Sequence, residues 1–239
     1  MAALEVILGI GQRDPEQVFH DLATTIQERD LATFEHCRRV ARLSERLARR
    51  MGWSPYEAHR LGLAALVHDL GKTWIGNDIL FKESALSEEE RLQMEQHPLM
   101  GARVLVGYEL DSFFVEVVLH HHEAYDGSGY PWGLSGEDIP LGARMLSVAD
   151  VYDALTSARP YKEALSPEAA RQYVLTEAGR RFDPRIVRGF VSLLEPEADS
   201  AITRTLMALP RLRVEQEEDT REPEPLQRSP SGPLAPVGS

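Results

Sequence analysis

Residues 61–72 read LGLAALVHDLGK, an apolar run that ends in histidine, aspartate, glycine and lysine. The preceding residues 54–57, SPYE, combine a capping box with a proline in the first helical turn, so they predict the start of a helix. The apolar period predicts that this helix continues to Gly71. His68 and Asp69 then stand together at the end of a buried helix, where two polar side chains need a structural or chemical reason.

Apolar residues recur with a helical period along most of the chain, from about residue 16 to residue 208, and no segment alternates convincingly as a strand does. The sequence therefore predicts an all-α fold, a single helical bundle, with a polar and glycine-rich loop at 123–139. Predicted helices cover 15–30, 34–51 with Thr33 as the N-cap, 55–71, 87–97, a short helix from Pro98, 112–122, 140–157, 167–179 and 184–194.

Composition divides the chain into one large part and three small ones. Residues 31–195 are predicted to form the main domain, residues 1–30 a short helical extension, and residues 196–209 a C-terminal helical segment. Residues 210–239 contain six prolines and almost no large apolar side chains. Such a segment cannot bury enough apolar surface to offset its chain entropy, so it is predicted to be disordered.

Length and charge exclude several classes of protein. The chain has 239 residues, of which 43% are apolar and 27% charged, as in an ordinary soluble globular protein. A net charge of −12 argues against binding to nucleic acid polymers or to anionic membranes. Cys37 is the only cysteine, and neither a secretory signal nor an apolar run of about 20 residues occurs, so we expect a cytoplasmic protein.

Ligand-type side chains interrupt the apolar pattern repeatedly. One histidine on an apolar face is ordinarily a hydrogen-bonded core residue, but five histidines and two aspartates are costly to bury without a metal or dense pairing. Imidazoles and carboxylates suit iron, manganese, zinc or nickel, and seven ligands exceed one tetrahedral site, so two divalent metals sharing a carboxylate are expected. The candidates are His36, His68, Asp69, His97, His121, His122 and Asp150, with Asp69 as the bridge.

The order of these residues resembles a known family. His36 is followed by HDLGK at 68–72, HPLMG at 97–101, HHEAYDGSGYP at 121–131 and ADVYDALTSARPYK at 149–162. This order is similar to that of the HD-GYP branch of the HD-domain phosphohydrolases, over about residues 30–195. The resemblance implies a helical HD-domain bundle with a metal site in its core. It also implies a phosphodiesterase that hydrolyses cyclic di-GMP to the linear dinucleotide or GMP.

The resemblance also divides the ligands between two metals, with iron or manganese expected ahead of zinc or nickel. Some family members bind a third metal through a glutamate four residues before the first histidine. Ala32 occupies that position here, so two metals are predicted. By the resemblance, one metal is held by His36, His68, Asp69 and Asp150, and the other by Asp69, His97, His121 and His122.

Further residues are implied in catalysis and in substrate binding. Asp69 and Lys72 are the implied catalytic residues. The Gly-Tyr-Pro loop is either a scaffold for the adjacent histidines or also a docking surface for diguanylate cyclase domains, and Tyr130 and Asp126 are expected to fix it against the site. The residues expected to contact substrate are Lys72, Tyr130, Asp153, Arg159 and Lys162.

Three alternatives remain open at this point. In the first alternative, the chain is a cyclic di-GMP receptor or docking module with little catalytic activity, although all seven candidate metal ligands are present. In the second alternative, the chain is an HD phosphohydrolase that acts on another cyclic nucleotide, such as a mixed cyclic dinucleotide. A purely structural helical protein is the third interpretation, and the ligand set argues against it. A homodimer contact through the leading helix is a further interpretation that the sequence leaves open.

Overall fold

One helix, Leu141–Thr156, lies at the centre of the fold, because every residue from Gly142 to Asp153 is buried. The computed structural model describes residues 14–158 and 163–194, and within them the all-α prediction is confirmed. The helices of these ranges are α1 (Pro15–Arg29), α2 (Leu31–Arg50), α3 (Pro55–Leu66), α4 (Asn77–Leu80), α5 (Glu88–Met94), α6 (His97–Gly107), α7 (Ser112–His120), α8 (Leu141–Thr156), α9 (Pro167–Thr176) and α10 (Pro184–Leu194), with short 3-10 helices at Leu70–Trp74 and Gly136–Asp138.

Local sequence signals set several helix starts correctly. The Ser54 side chain accepts from the backbone N–H of Glu57, whose carboxylate accepts from the backbone N–H of Ser54 in return. Ser87 and Glu90 form the same reciprocal pair at the start of α5. These capping boxes satisfy backbone donors that have no partner within the helix, which is why they mark helix starts reliably.

Other predicted boundaries were wrong. Helix α2 begins at Leu31 and not at 34, because the Asp30 carboxylate caps it by accepting from the backbone N–H of Ala32 at 3.0 Å. Thr33 instead donates its hydroxyl to Asp30 at 2.6 Å. Helix α3 ends at Leu66, five residues before its predicted end, and α5 and α7 also end early. All three of these helices end beside ligand-type histidines, whose contacts below explain the early ends.

The leading helix α1 belongs to the same core as the rest of the bundle. Its Val18, Phe19, Leu22 and Ile26 are at most 4% exposed, and the ring of Phe19 lies 4.7 Å from that of Phe114. Its apolar face is therefore buried within one chain and is not free for a homodimer contact.

Parts of the predicted organisation lie outside the described residues. These parts are residues 1–13 of the extension, the segment 196–209 and the tail 210–239. Among the helices that are described, none combines the length and the apolar character that a bilayer crossing requires.

Candidate metal centre

The structure brings all seven predicted ligands to one buried region. The carrier elements are α2 for His36, the turn after α3 for the adjacent pair His68 and Asp69, and the central helix α8 for Asp150. The remaining ligands are His97 at the first position of α6, and His121 and His122 directly after α7.

Ligand atoms of His36, His68 and Asp69 form a first group, in which all lie within 4.8 Å of one another. Asp150 joins this group, because its Oδ1 lies 2.9 Å from Nε2 of His36 and 3.8 Å from Nε2 of His68. These are the four side chains that the resemblance assigned to one metal.

A second group consists of His97, His121 and His122, whose ligand atoms also lie within 4.8 Å of one another. Asp69 connects the two groups. Its Oδ1 lies 3.4 Å from Nε2 of His97, and its Oδ2 lies 3.5 Å from Nε2 of His68. Burial alone would raise the pKa of Asp69, but the charge of Lys72 and the neighbouring histidines hold that pKa well below its ordinary value. The carboxylate is thus ionised and faces both groups.

Three histidine rings are oriented by the same kind of local hydrogen bond. The Nδ1–H donates to the backbone carbonyl three residues earlier, from His68 to Ala65 at 2.7 Å, from His97 to Met94 at 2.8 Å and from His121 to Val118 at 2.7 Å. These carbonyls belong to the last turns of α3, α5 and α7, where helices leave acceptors unpaired. A carbonyl can only accept, so the proton sits on Nδ1, and in a neutral ring Nε2 presents a lone pair to the centre. The same contacts terminate the helices early.

This arrangement fits a metal. Nε2 of His97 lies 3.3 Å from Nε2 of His121, so two lone pairs face each other if both rings are neutral. Oδ1 of Asp69 is buried and has no hydrogen-bond partner. Unprotonated nitrogens and an unpaired carboxylate oxygen that face one another in a buried region destabilise the fold when no cation is present. The same atoms bind a cation favourably. The carbonyl ends of three helices add partial negative charge at the same place.

In the first group, the carboxylates favour protonated histidines when no metal is bound. Burial alone would lower the pKa of His36, but its hydrogen bonds with Asp150 and Asp153 raise it above the ordinary value. Asp69 likewise raises the pKa of His68 well above its ordinary value, against the effect of burial. A metal must therefore displace protons from these two rings.

In the second group, the rings are neutral without a metal. Burial and the charge of Lys72 lower the pKa of His97 to about 4. Burial and the neighbouring histidines lower the pKa of His121 and of His122 well below the ordinary value. These rings offer their lone pairs at neutral pH without losing a proton first.

The two kinds of histidine predict a stability maximum near pH 6.5 for the metal-free protein. His36 and His68 have raised pKa values, so their stabilisation is complete below the unfolded pKa of about 6.5 and is lost as the pH rises through the folded pKa. His97, His121 and His122 have lowered pKa values, so stability falls below about pH 6.5, where only the unfolded chain takes up protons.

Bound metal should remove the alkaline decline, because ligating rings carry no proton at the ligating nitrogen in the folded state. The measurement is the Tm of chelator-treated protein between about pH 5 and about pH 9, with and without Mn²⁺. A metal-free protein whose Tm continues to rise above about pH 7.5 would contradict the assignment of protons to His36 and His68.

Asp153 and Arg39 support the ligand His36 from behind. Nδ1 of His36 lies 2.7 Å from Oδ2 of Asp153, and Arg39 forms two hydrogen bonds with the same carboxylate, at 2.7 and 2.9 Å. Asp153 stays a predicted substrate contact, and its carboxylate is bound here by a histidine and an arginine. The sequence reasoning did not identify Arg39, whose partner lies 114 positions away.

We expect Arg39→Met to weaken metal binding at the first group about tenfold, because an unpaired Asp153 orients His36 less well. The measurement is a metal titration followed by activity at saturating metal, which should recover most of the loss. Arg38→Met is a matched control, since the contacts given for Arg38 within the described part of the chain are to Glu35 and the Phe34 ring, both on its own helix. Equal effects of the two variants would contradict a positioning role for Arg39.

The loop after the second histidine group is held by Glu123 and Tyr130. The buried Glu123 carboxylate accepts from the backbone N–H groups of Trp132 at 2.8 Å and Leu134 at 3.0 Å. The Tyr130 ring lies 4.9 Å from the ring of His122. Tyr130 was expected to fix the loop. Glu123 was missed, although it directly follows the histidine run and a buried glutamate requires partners.

Asp126 contributes to the loop in a different way from that expected. Its side chain accepts from the backbone N–H of Ser128 at 3.0 Å and from the Ser128 hydroxyl at 2.6 Å, so it shapes the turn itself. His120, which the sequence left without a role as a ligand, lies 3.7 Å from Glu123 through its Nδ1.

Among the predicted catalytic and substrate-binding cations, Lys72 is the one that lies in the described residues, and it contacts a candidate ligand. Its Nζ donates to Oδ2 of Asp69 at 2.8 Å, and 26% of its side chain is exposed. Burial would lower the pKa of Lys72, but Asp69 raises it, so the amine stays charged. The other two predicted cations, Arg159 and Lys162, lie outside the described residues.

Two glycines let the ligand-bearing segments approach each other. A Cβ at Gly71 would lie 1.9 Å from the backbone oxygen of His97 and 2.8 Å from the backbone nitrogen of Gly101. A Cβ at Gly101 would in turn lie 3.4 Å from the backbone nitrogen of Gly71. The turn carrying His68 and Asp69 therefore packs backbone to backbone against the first turn of α6.

The chain is similar to known proteins over most of its described residues. The family model described as HD domain matches residues 22–186. The cyclic di-GMP phosphodiesterase response regulator RpfG of Xanthomonas campestris pv. campestris is 45% identical over 170 residues, which cover 70% of this chain and 44% of that protein. The 3'3'-cGAMP-specific phosphodiesterase 2 of Vibrio cholerae is 36% identical over 174 residues, covering 72% of this chain and 33% of that protein.

A solved structure shares the fold. An HDG"Y"P protein from Bdellovibrio bacteriovorus superposes with a TM-score of 0.57 at 23% identity, covering 68% of this chain and 52% of that one. The chain spans less than half the length of the two curated relatives.

Proposed function

Because the chain belongs to the HD domain family, and to its HD-GYP branch, we propose that it is a metal-dependent phosphodiesterase that hydrolyses cyclic di-GMP. The observation that carries the proposal is Asp69, whose two oxygens face two separate groups of histidines beside a charged lysine. That arrangement suits a pair of divalent cations and an anionic substrate. The relatives, a cyclic di-GMP phosphodiesterase and a 3'3'-cGAMP-specific phosphodiesterase, supply the substrate class.

The number and identity of the metals are part of the proposal. His36, His68, Asp69 and Asp150 would hold one ion, and Asp69, His97, His121 and His122 the other. We infer iron or manganese ahead of zinc or nickel from the resemblance to the HD-GYP branch, and a ligand set of nitrogens and carboxylate oxygens without a thiolate is compatible with that choice. Two is the expected number, since Ala32 offers no side-chain ligand for a third. Two divalent ions held by these residues would supply Lewis acidity toward a phosphodiester and toward an attacking water.

The residues of the chain have separate tasks in this reaction. Asp69 keeps the two ligand groups in register, and Asp153 with Arg39 holds His36 in place. Lys72 remains protonated and partly exposed, so its ammonium can approach a phosphate oxygen and stabilise the charge that develops there. Arg159 and Lys162 remain proposed phosphate or guanine contacts, and Tyr130 a proposed substrate contact.

A substrate panel tests the proposal. The protein would be purified anaerobically, loaded with Fe²⁺ or Mn²⁺, analysed for metal content and incubated separately with cyclic di-GMP, 3'3'-cGAMP and cyclic di-AMP, with products separated by chromatography. We expect two metals per chain and fastest turnover of cyclic di-GMP. Faster turnover of 3'3'-cGAMP would favour the second candidate, which the relative at 36% identity supports. Binding without turnover at full metal occupancy would favour a receptor.

The loop after His122 is also proposed to dock diguanylate cyclase domains. Trp132 supports this, because it is 62% exposed while its backbone is held by Glu123. Trp132→Ala should weaken binding to a cyclase domain in calorimetry and leave hydrolysis unchanged. Unchanged binding would limit the loop to the role of a scaffold.

A further inference from the structure

A cavity of about 300 Å³ borders the second histidine group. It lies between the loop after α7 and the turn after α9. His122 and Tyr130 form the wall toward the metal centre, and Tyr173, Glu177 and Arg181 form the facing wall. A volume of this size is at the lower end of the range for small-molecule sites.

The walls of this cavity are fixed relative to the metal ligands. The backbone N–H of Tyr125 donates to the carbonyl of Arg181 at 3.1 Å, and that of Asp126 donates to the carbonyl of Arg180 at 2.8 Å. The backbone N–H of Tyr130 donates to the carbonyl of His122 at 3.2 Å. These bonds connect the Gly-Tyr-Pro loop, the turn after α9 and a metal ligand, so a molecule in the cavity would be positioned with respect to the metals.

Two side chains of the facing wall, Arg181 and Glu177, have no close ion pair among the described residues. Within residues 14–158 and 163–194, no carboxylate forms an ion pair with Arg181, whose guanidinium lies 5.8 Å from the ring of Phe182. Glu177 has one distant partner, Nη1 of the exposed Arg180 at 3.6 Å. Tyr173 is 36% exposed. The charged and aromatic side chains that line this one small space are Arg180 and Arg181, Glu95, Asp126 and Glu177, and Tyr130 and Tyr173. Among them, Arg181, Glu177 and Tyr173 offer a guanidinium, a carboxylate and an aromatic ring.

We infer that this cavity is the subsite for one guanine base of the dinucleotide, read by Arg181 and Glu177 and stacked on Tyr173. The inference rests on the proposed function and adds the base specificity of the same site. An arginine donates two hydrogen bonds to O6 and N7 of guanine, which are both acceptors. A carboxylate accepts from the N1–H and the 2-amino group on the opposite edge of the base. Aromatic side chains stack on any base, so Tyr173 contributes affinity without selectivity.

Adenine fits the same groups poorly. It carries an amino donor in place of O6, which would face the guanidinium, and it has neither an N1–H nor a 2-amino group for the carboxylate. The cavity therefore favours a dinucleotide with at least one guanine. Arg181 and Glu177 lie outside the segments 68–72, 97–101, 121–131 and 149–162 that carry the resemblance to the family.

The test compares Arg181→Met and Glu177→Gln with the wild type and with Arg188→Met, an exposed arginine of α10 that does not line the cavity. Steady-state hydrolysis of cyclic di-GMP, cyclic di-AMP and bis(p-nitrophenyl) phosphate is measured, together with calorimetric binding of cyclic di-GMP to metal-free protein. We expect each cavity variant to weaken cyclic di-GMP binding and kcat/KM about 5- to 150-fold. Cleavage of the base-free ester should remain unchanged, and Arg188→Met should resemble the wild type.

Several outcomes would overturn the inference. The first is unchanged cyclic di-GMP binding in both cavity variants. The second is an equal loss of kcat/KM for cyclic di-AMP. The third is an equal loss of kcat/KM for bis(p-nitrophenyl) phosphate, which would locate the effect at the metal centre. Failure of the proposed function has a different signature, because the wild type would then not hydrolyse cyclic di-GMP. In that case weaker binding by Arg181→Met still supports the guanine subsite.

Discussion

Asp69→Ala is expected to abolish cyclic di-GMP hydrolysis and to remove both metals from the purified protein. Its Oδ1 faces His97 and its Oδ2 faces His68, so one substitution removes a ligand from each group. The variant also leaves Lys72 without its carboxylate partner, and the uncompensated charge opposes binding of cations nearby. We expect a loss of at least about a thousandfold in kcat/KM, the effect of removing a central electrostatic group from an active site.

Two further variants separate charge from volume. Asp69→Asn keeps the shape of the side chain and removes its charge, so it should lose metal and activity nearly as completely as Asp69→Ala. Asp78→Ala changes an exposed aspartate outside the ligand set and should have no effect on metal content. Metal content by elemental analysis and turnover by chromatography are the two readouts. Retained turnover in Asp69→Ala would reject the shared carboxylate and the mechanism with it.

The sequence predicted those features that depend on local or periodic signals. Helix α5 begins at its capping box, and α8 carries Asp150 in its interior, because these features depend on neighbouring residues and on a 3.6-residue period. The list of candidate ligands was also accessible, since histidines such as His68 and His121 are conspicuous at the ends of apolar helices. Their convergence in space was inferred from the cost of burying them and from the order of the motifs.

Features that depend on distant contacts were not predictable. Arg39 has no local signal, because its partner Asp153 belongs to another helix. The early end of α3 coincides with the contact of His68 Nδ1 with the Ala65 carbonyl, which leaves Nε2 facing Asp150 of another helix. Arg181 likewise gains a role only when the fold brings its turn beside the Gly-Tyr-Pro loop. Periodicity gives no information on such pairs.

Gly71→Ala is expected to produce the second large effect, on folding and metal binding together. The new methyl group would lie 1.9 Å from the oxygen of His97 and 2.7 Å from its carbonyl carbon, distances at which backbone atoms must move apart. That movement would separate the turn carrying Asp69 from His97 and open the second group. We expect a loss of about 3 kcal/mol or more in the free energy of unfolding, and a Tm lower by roughly 6–12 °C.

Gly107→Ala is the control in α6, the helix against which Gly71 packs, because a Cβ at Gly107 meets no atom within 4 Å. It replaces glycine with a better helix former, so its Tm should equal or slightly exceed that of the wild type. Thermal unfolding and metal titration of both variants separate backbone contact from a general sensitivity of α6. If Gly71→Ala kept the wild-type Tm and both metals, the close packing of its turn against His97 would not be what holds the two ligand groups together.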